Sequence, residues 1–295
     1  MRKKYRYLYS QNIILLQIGN APVKHSCSII SDKSYMPTAL ITGASSGIGA
    51  AFAEELAKRQ YNLVLIARSE TKLQELANQL QQEYQIQADV FVQDLTKPHA
   101  AMAVFNAVSQ RGLNIDLLIN NAGFGDYGSF ADRPREKQVD MIQLNITVLV
   151  EITHLFIQEM RKRKSGSIIN VASIAAFQPL PYLSVYAATK AFVLSFSEAI
   201  WAENKDSGIK VIAVCPGPTE SNFFNVAEFP LSMANNGTNK MTPAKEVVID
   251  ALQALAQNRS NIVTGGLPNQ IIANISRFLP RSALVTAVEK QFKLN

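Results

Sequence analysis

Short apolar runs alternate along this chain with longer stretches in which apolar residues recur every three or four positions. Residues 38–42, 61–67, 88–92, 115–120, 167–171, 209–214 and 261–264 read as strands. Helices are expected over residues 50–59, 70–84, 98–110, 134–164, 184–203 and 243–256. Leu73, Leu76 and Leu80 mark one face of the second helix, and Met141, Leu144, Val148, Ile152 and Leu155 one face of the fourth. Pro98 suits a helix's first turn, where a missing N–H loses no hydrogen bond. The strands are near-continuous apolar runs, as expected for a parallel sheet covered on both faces. Sustained strand–helix alternation predicts a three-layer α/β/α doubly wound (Rossmann) domain of about seven parallel strands. An eight-stranded α/β barrel has the same alternation and is the alternative fold.

Charge changes this picture only at the N-terminus. Lys and Arg number 29 against 23 Asp and Glu, a net charge of +6. Residues 1–35 hold six of the cations and one acid, which leaves 23 against 22, or +1, for the rest. The basic character therefore belongs to a leader, and a nucleic-acid partner is not expected. Its apolar stretch, residues 13–18, is interrupted by Gln17 and is followed by Lys24 and His25, which suits a secretory signal poorly. We expect residues 1–35 to be a disordered or untranslated leader ahead of Met36, with weak contact to a membrane surface as the alternative. Residues 36–265 form the expected catalytic domain and residues 266–295 an amphipathic extension. In that extension Ile271, Ile272, Ile275, Phe278, Leu279, Leu284, Val285, Val288 and Phe292 are expected to pack on the chain's own domain; a lid, a subunit interface and a membrane surface are alternatives. Two cysteines, Cys27 and Cys215, exclude a disulfide framework, and His25, His99 and His154 lack metal-ligand spacing. No metal site is expected, and the location is expected to be cytoplasmic.

The first strand runs into Thr42-Gly43-Ala44-Ser45-Ser46-Gly47-Ile48-Gly49 and then a helix. Gly43 permits a tight turn, Gly47 lets backbone approach a pyrophosphate, and Gly49 lets the helix pack against the sheet. The helix N-terminus offers unpaired N–H groups to an anion, and Ser45, Ser46 and Ile48 belong to the same expected cofactor site. After the second strand an acid would bond an adenosine ribose 2′-hydroxyl. Here Arg68 stands there instead, so NADP(H) is favoured over NAD(H). A solvated cap at the sheet edge is the other reading of Arg68. Asp94 and Leu95, after the third strand, are expected beside the adenine.

Further along come Asn120-Asn121-Ala122-Gly123, Ser173 after the fifth strand, and Tyr186-Ala187-Ala188-Thr189-Lys190. With the Gly-x-x-x-Gly-x-Gly turn, this ordered set resembles the short-chain dehydrogenase/reductase family over about residues 37–265. In ALITGASSGIG, LVLIARSETKL and CPGPTESNFF the chain is similar to bacterial NADP-dependent reductases related to ketoacyl and hydroxysteroid reductases. The resemblance implies hydride transfer between NADP(H) and a carbonyl or secondary alcohol. It also implies Tyr186 as general acid/base, Lys190 bonding the nicotinamide ribose, Ser173 steadying the substrate oxygen, and Asn145 supporting a water near the lysine. Lys190 lies one helical turn from Tyr186, and its ammonium, together with the positive nicotinamide of the oxidised cofactor, is expected to lower the phenol's pKa. Asn121, Ala122 and Gly123 are implied beside the adenine ribose. Pro216, Gly217, Thr219 and Ser221 are implied at the nicotinamide carboxamide, with Ser221 where the family usually has threonine. Assembly as a homodimer or homotetramer is implied through the helices at residues 134–164 and 184–203.

Residues 222–241 are expected to form a lid carrying Phe223, Phe224, Phe229, Leu231 and Met233, with Pro179, Leu180 and Tyr182 as another wall. An apolar ketoacyl, steroid-like or lipid-derived substrate is expected. Cys215 reads as a small buried residue rather than a nucleophile. An NAD-dependent alcohol dehydrogenase of the same family, and a silent dinucleotide sensor or scaffold, are the alternative functions.

Overall fold

The computed structural model describes residues 35–230 and 241–293. Residues Pro37–Asn295 form one compact unit, and Met1–Met36 are counted apart from it. The leader up to residue 34, and Leu231 and Met233 of the expected lid, lie outside the described residues.

Seven parallel strands form one open sheet: β1 (Thr38–Thr42), β2 (Asn62–Ala67), β3 (Ala88–Val92), β4 (Leu117–Asn120), β5 (Gly166–Val171), β6 (Ile209–Cys215) and β7 (Asn261–Val263). Their order is β3-β2-β1-β4-β5-β6-β7. The sheet is open, with β3 and β7 at its two ends among the described residues, which rules out the barrel. Register is set in the middle by Leu40 against Val64 on one side and Leu118 on the other. The strand order reverses between β1 and β4, so a crevice opens at their C-terminal ends.

The connecting helices are α1 (Gly47–Lys58), α2 (Glu70–Tyr84), α3 (Ala100–Gln110), α4 (Arg135–Ile142), α5 (Val148–Arg163), α6 (Ser184–Glu203) and α7 (Phe223–Val226). Then follow α8 (Ala244–Ala256), α9 (Leu267–Ile275) and α10 (Arg281–Phe292). Leu40, Val64, Leu118, Ile168 and Val211 point from alternate strand positions into a core with Val104 of α3 and Ile152 and Phe156 of α5. Their neighbours in sequence, such as Ile41, Leu65, Ile119 and Ile212, are equally buried on the opposite face. There α1 packs against α2 and α8. Strands buried on both faces explain the unbroken apolar runs.

Two local differences from the sequence reading have clear causes. The helix expected from Pro98 begins at Ala100, because His99 takes a left-handed conformation, φ 62°. The long helix expected over 134–164 contains a π turn at Gln143–Thr147 between α4 and α5. By length and hydropathy Arg135–Arg163 is sufficient to cross a bilayer, but Ile152, Phe156 and Met160 are committed to the core.

Candidate active site

The Thr42 hydroxyl stitches the glycine turn to the turn after β4. It donates to Ile119 O (3.3 Å) and accepts from the N–H groups of Asn121 and Ala122 (3.0 Å each). Asn121 Nδ2 donates back to Thr42 O (3.0 Å) and Gly43 O (3.2 Å). Gly47 has φ +56°, and a Cβ there would meet Ser221 Cβ at 2.9 Å. A Cβ on Gly49 would fall 2.2 Å from Gly43 O, so only glycine lets α1 start so close to the turn. The turns ending β1, β4 and β6 thus converge on one point.

That point has the features of an anion cradle. Ser46 is the N-cap of α1 and its side chain makes no cap hydrogen bond, so the first-turn N–H groups keep their capacity for a ligand. Ser45 and Ile48 are half-buried beside it. At the ends of β2 and β3, exposed Arg68 lies near Asp94. Burial works against the Asp94 charge, but Thr96 N (3.0 Å) and Oγ1 (2.8 Å) donate to it, and with the Arg68 and Lys97 charges they hold its pKa below the ordinary value. Leu95 follows Asp94 at the same strand end. Its side chain is buried in the α3–α5 core, which leaves only its backbone for a ligand.

Ser173 caps a short turn after β5, its Oγ accepting from Ala175 N (3.1 Å), and its side chain hydrogen-bonds the Tyr186 phenol. Lys190 Nζ donates to Val171 O (2.8 Å) and sits 5.8 Å from the Tyr186 ring centroid. Asn145 projects from the π turn and is buried. Its Nδ2 donates to Phe124 O and Thr189 Oγ1 (3.0 Å each), and its Oδ1 accepts from Phe124 N (3.1 Å). A Cβ on Gly123 would lie 2.9 Å from Asn145 Oδ1 and 3.5 Å from Lys190 Nζ. Ser173, Tyr186, Lys190 and Asn145 therefore meet at the C-terminal ends of β4 and β5.

Burial dominates the electrostatics. It pushes the Tyr186 phenol up to about 12, against the opposing pull of the Ser173 hydrogen bond. It pushes the Lys190 ammonium down to about 8. Cys215 is fully buried and its thiol is pushed up to about 12, which leaves it inert at neutral pH.

On the cofactor side, Pro216 is buried, Thr219 Oγ1 donates to Gly217 O (2.9 Å), and Ser221 Oγ donates to Thr219 O (3.3 Å). The Ser221 hydroxyl is thus turned to its own backbone.

A family model described as short chain dehydrogenase matches residues 37–228. The chain belongs to the short-chain dehydrogenase family. Family members act as oxidoreductases on alcohols and carbonyls, and this chain shares that class. It is 33% identical to a very-long-chain 3-oxoacyl-CoA reductase of Anas platyrhynchos, over 86% of this chain and 80% of that one. Among solved structures it resembles a short-chain dehydrogenase from Sphingobium yanoikuyae in complex with NADPH (TM-score 0.74, 33% identity, 84% of this chain and 94% of that one). It also resembles the bulky-bulky ketone specific alcohol dehydrogenase from Comamonas testosteroni (TM-score 0.70, 31% identity, 82% and 92%).

Several residues of this short-chain dehydrogenase site escaped the sequence reading. Phe223, read only as a lid residue, lies across Tyr186 with ring centroids 5.1 Å apart. Gly125 leaves room for it, since a Cβ there would be 2.7 Å from Phe223 Cζ. Asp126, its side chain fully buried, receives Arg133 Nε (2.8 Å) and Lys137 Nζ (2.7 Å), and both cations also bind Glu228. This cluster ties the turn after β4 to the segment following α7. Asn120 Nδ2 donates to Asn170 Oδ1 (2.8 Å), and Asn170 Nδ2 to Ser197 Oγ (2.9 Å), a buried chain fixing α6 to the sheet. Asn269 Nδ2 donates to Thr264 O (2.8 Å) behind Gly217. The Gly after Asn121-Ala122-Gly123-Phe124 was the one signal in reach; the others depend on contacts between distant segments.

Proposed function

We propose that this chain reduces the carbonyl group of a bulky apolar ketone or ketoacyl compound with NADPH, and catalyses the reverse reaction when driven. The observation that carries this reading is the Tyr186 phenol, buried, hydrogen-bonded to Ser173 and faced by the Phe223 ring. The cradle of glycines, the uncapped start of α1 and Arg68 fit the pyrophosphate and 2′-phosphate of NADPH. Bound NADPH supplies the hydride. With its pKa near 12 the phenol stays protonated at neutral pH, so Tyr186 is a proton donor to the substrate oxygen. Ser173 exchanges its bond to the phenol for one to that oxygen and stabilises developing charge. Lys190, fixed by Val171 O, bonds the ribose, and Asn145 holds the Phe124 turn and Thr189 in place around it. Tyr127, Leu180 and Phe223, packed around Tyr186, give the substrate side an apolar wall. The ketone and ketoacyl-CoA names of the relatives support the same substrate class.

Replacement of Tyr186 by Phe should lower NADPH-dependent reduction of a bulky aromatic ketone by at least ~100-fold, with NADPH binding by fluorescence retained. Unchanged turnover would sink the assignment. The proposal extends to a homodimer or homotetramer through α5 and α6, supported by the stacked Phe192 and Phe196 on α6, of which Phe192 is exposed. Light scattering tests it. We also propose a cytoplasmic enzyme whose basic leader touches a membrane surface; cell fractionation tests that location.

A further inference from the structure

The C-terminal segment has two apolar faces, and among the described residues only one of them is covered. Leu284 and Val288 of α10 are buried in the cluster that contains Tyr186 and Tyr127. The Phe292 ring packs on Phe229, and the Tyr127 hydroxyl donates to Phe292 O. This part of the segment meets the expectation of packing on its own domain. The rest does not. Leu267, Ile271 and Ile275 recur at four-residue spacing along α9 and are 68%, 55% and 42% exposed. Phe278 and Leu279 follow in the link to α10 at 82% and 43%. In a globular protein, exposed apolar side chains are normally scattered; five in register on one short segment form a docking surface.

Charge selects the occupant. No Asp or Glu occurs from residue 251 to residue 288. Exposed Arg277 and Arg281 bracket Phe278 and Leu279 instead. An apolar stripe with cations at its margin and no acids is the pattern of a helix lying in a lipid headgroup layer, where it draws on both burial and attraction to anionic lipid. A second copy of the same all-cationic patch would bring Arg277 and Arg281 towards like charges. We infer that α9 and the link to α10 dock this enzyme on the surface of an anionic bilayer. The inference goes beyond the proposed reaction and uses none of its catalytic residues. It also differs from the leader's contact, because the docking residues lie in the folded unit, on the segment that backs the substrate-side cluster.

The test is flotation of the full chain with two vesicle types, phosphatidylcholine alone and phosphatidylcholine containing phosphatidylglycerol. The double variant Leu267→Ser/Phe278→Ser removes apolar contact at exposed positions, and Arg277→Gln/Arg281→Gln removes the cations. Reduction of a small water-soluble ketone, expected to be unchanged, reports that the variants fold. The wild type should float with the anionic vesicles. The serine pair should lose at least roughly tenfold in affinity, and the glutamine pair roughly fivefold per cation, on anionic vesicles only. Failure of the wild type to bind, or equal binding by the serine pair, would overturn the inference; in the second case the leader alone carries the contact. A concentration-dependent dimer in light scattering that the serine pair abolishes would also overturn it, by giving the stripe to a second copy.

Discussion

Phe223 lies across the ring of Tyr186, 5.1 Å between centroids, in a space that only Gly125 leaves open. The stretch after β6 therefore reaches the reacting group itself. Gly125→Ala places a Cβ 2.7 Å from Phe223 Cζ and 3.4 Å from Tyr186 Cδ2, so the phenylalanine must shift. We expect kcat/KM for a bulky ketone to fall by about tenfold or more. Phe223→Ala should instead move preference towards larger ketones. A substrate panel run on both variants checks the pair, and identical panels would remove Phe223 from the specificity determinants.

Lys190 should make stability depend on pH. Its folded pKa of about 8 lies below the ordinary 10.5. Between those values the unfolded chain binds more protons than the folded one, so this group's contribution to stability rises with pH across the window. The contribution is lost as pH falls through about 8. In cofactor-free protein, Tm of wild type minus Tm of Lys190→Met should climb from about pH 8 to about pH 10. A flat difference would mean that the amine is not desolvated. Tyr186 acts oppositely, its raised value near 12 stabilising the fold until pH passes the ordinary 10.0.

Asp126 anchors two cations with no exposed surface of its own carboxylate. Its Asn variant leaves Arg133 and Lys137 without their shared buried partner, and a loss of about 3 kcal/mol in denaturant unfolding is expected. Burial opposes the Asp126 charge, but Arg133 and Lys137 hold its pKa below the ordinary 3.8. The stabilisation is therefore present above that value and lost as pH falls through the folded one. Acid unfolding of wild type and variant should converge at low pH; parallel curves would contradict the pairing.

Arg68 should decide the cofactor. Arg68→Asp removes a phosphate partner and supplies a ribose hydroxyl acceptor. We expect kcat/KM for NADPH to drop about 10–100-fold, as for loss of a charged hydrogen bond, with little loss for NADH. Equal losses with both cofactors would make Arg68 a solvated cap only.

The sheet was legible from local patterns, and the Ser173, Tyr186 and Lys190 set through the family resemblance of the ordered motifs. Apolar runs give strands, and four-residue spacing puts Tyr186 and Lys190 on one helix face. Asn145 was legible as a residue, but its π turn was not, since that distortion follows from bonds to Phe124 and Thr189 across the fold. The raised tyrosine pKa comes from burial, a property of the assembled fold that no local pattern shows. Asp126, Arg133 and Glu228 carry no local pattern in the sequence, since their pairing joins segments far apart along the chain.

Lys190 is held by a main-chain carbonyl, that of Val171, rather than by another side chain. Every amino acid offers that oxygen, so no substitution at position 171 can remove the partner itself. The lysine's anchorage is thereby insulated from genetic drift along β5, and the strand is free to change its apolar packing while the chemistry beside it stays put.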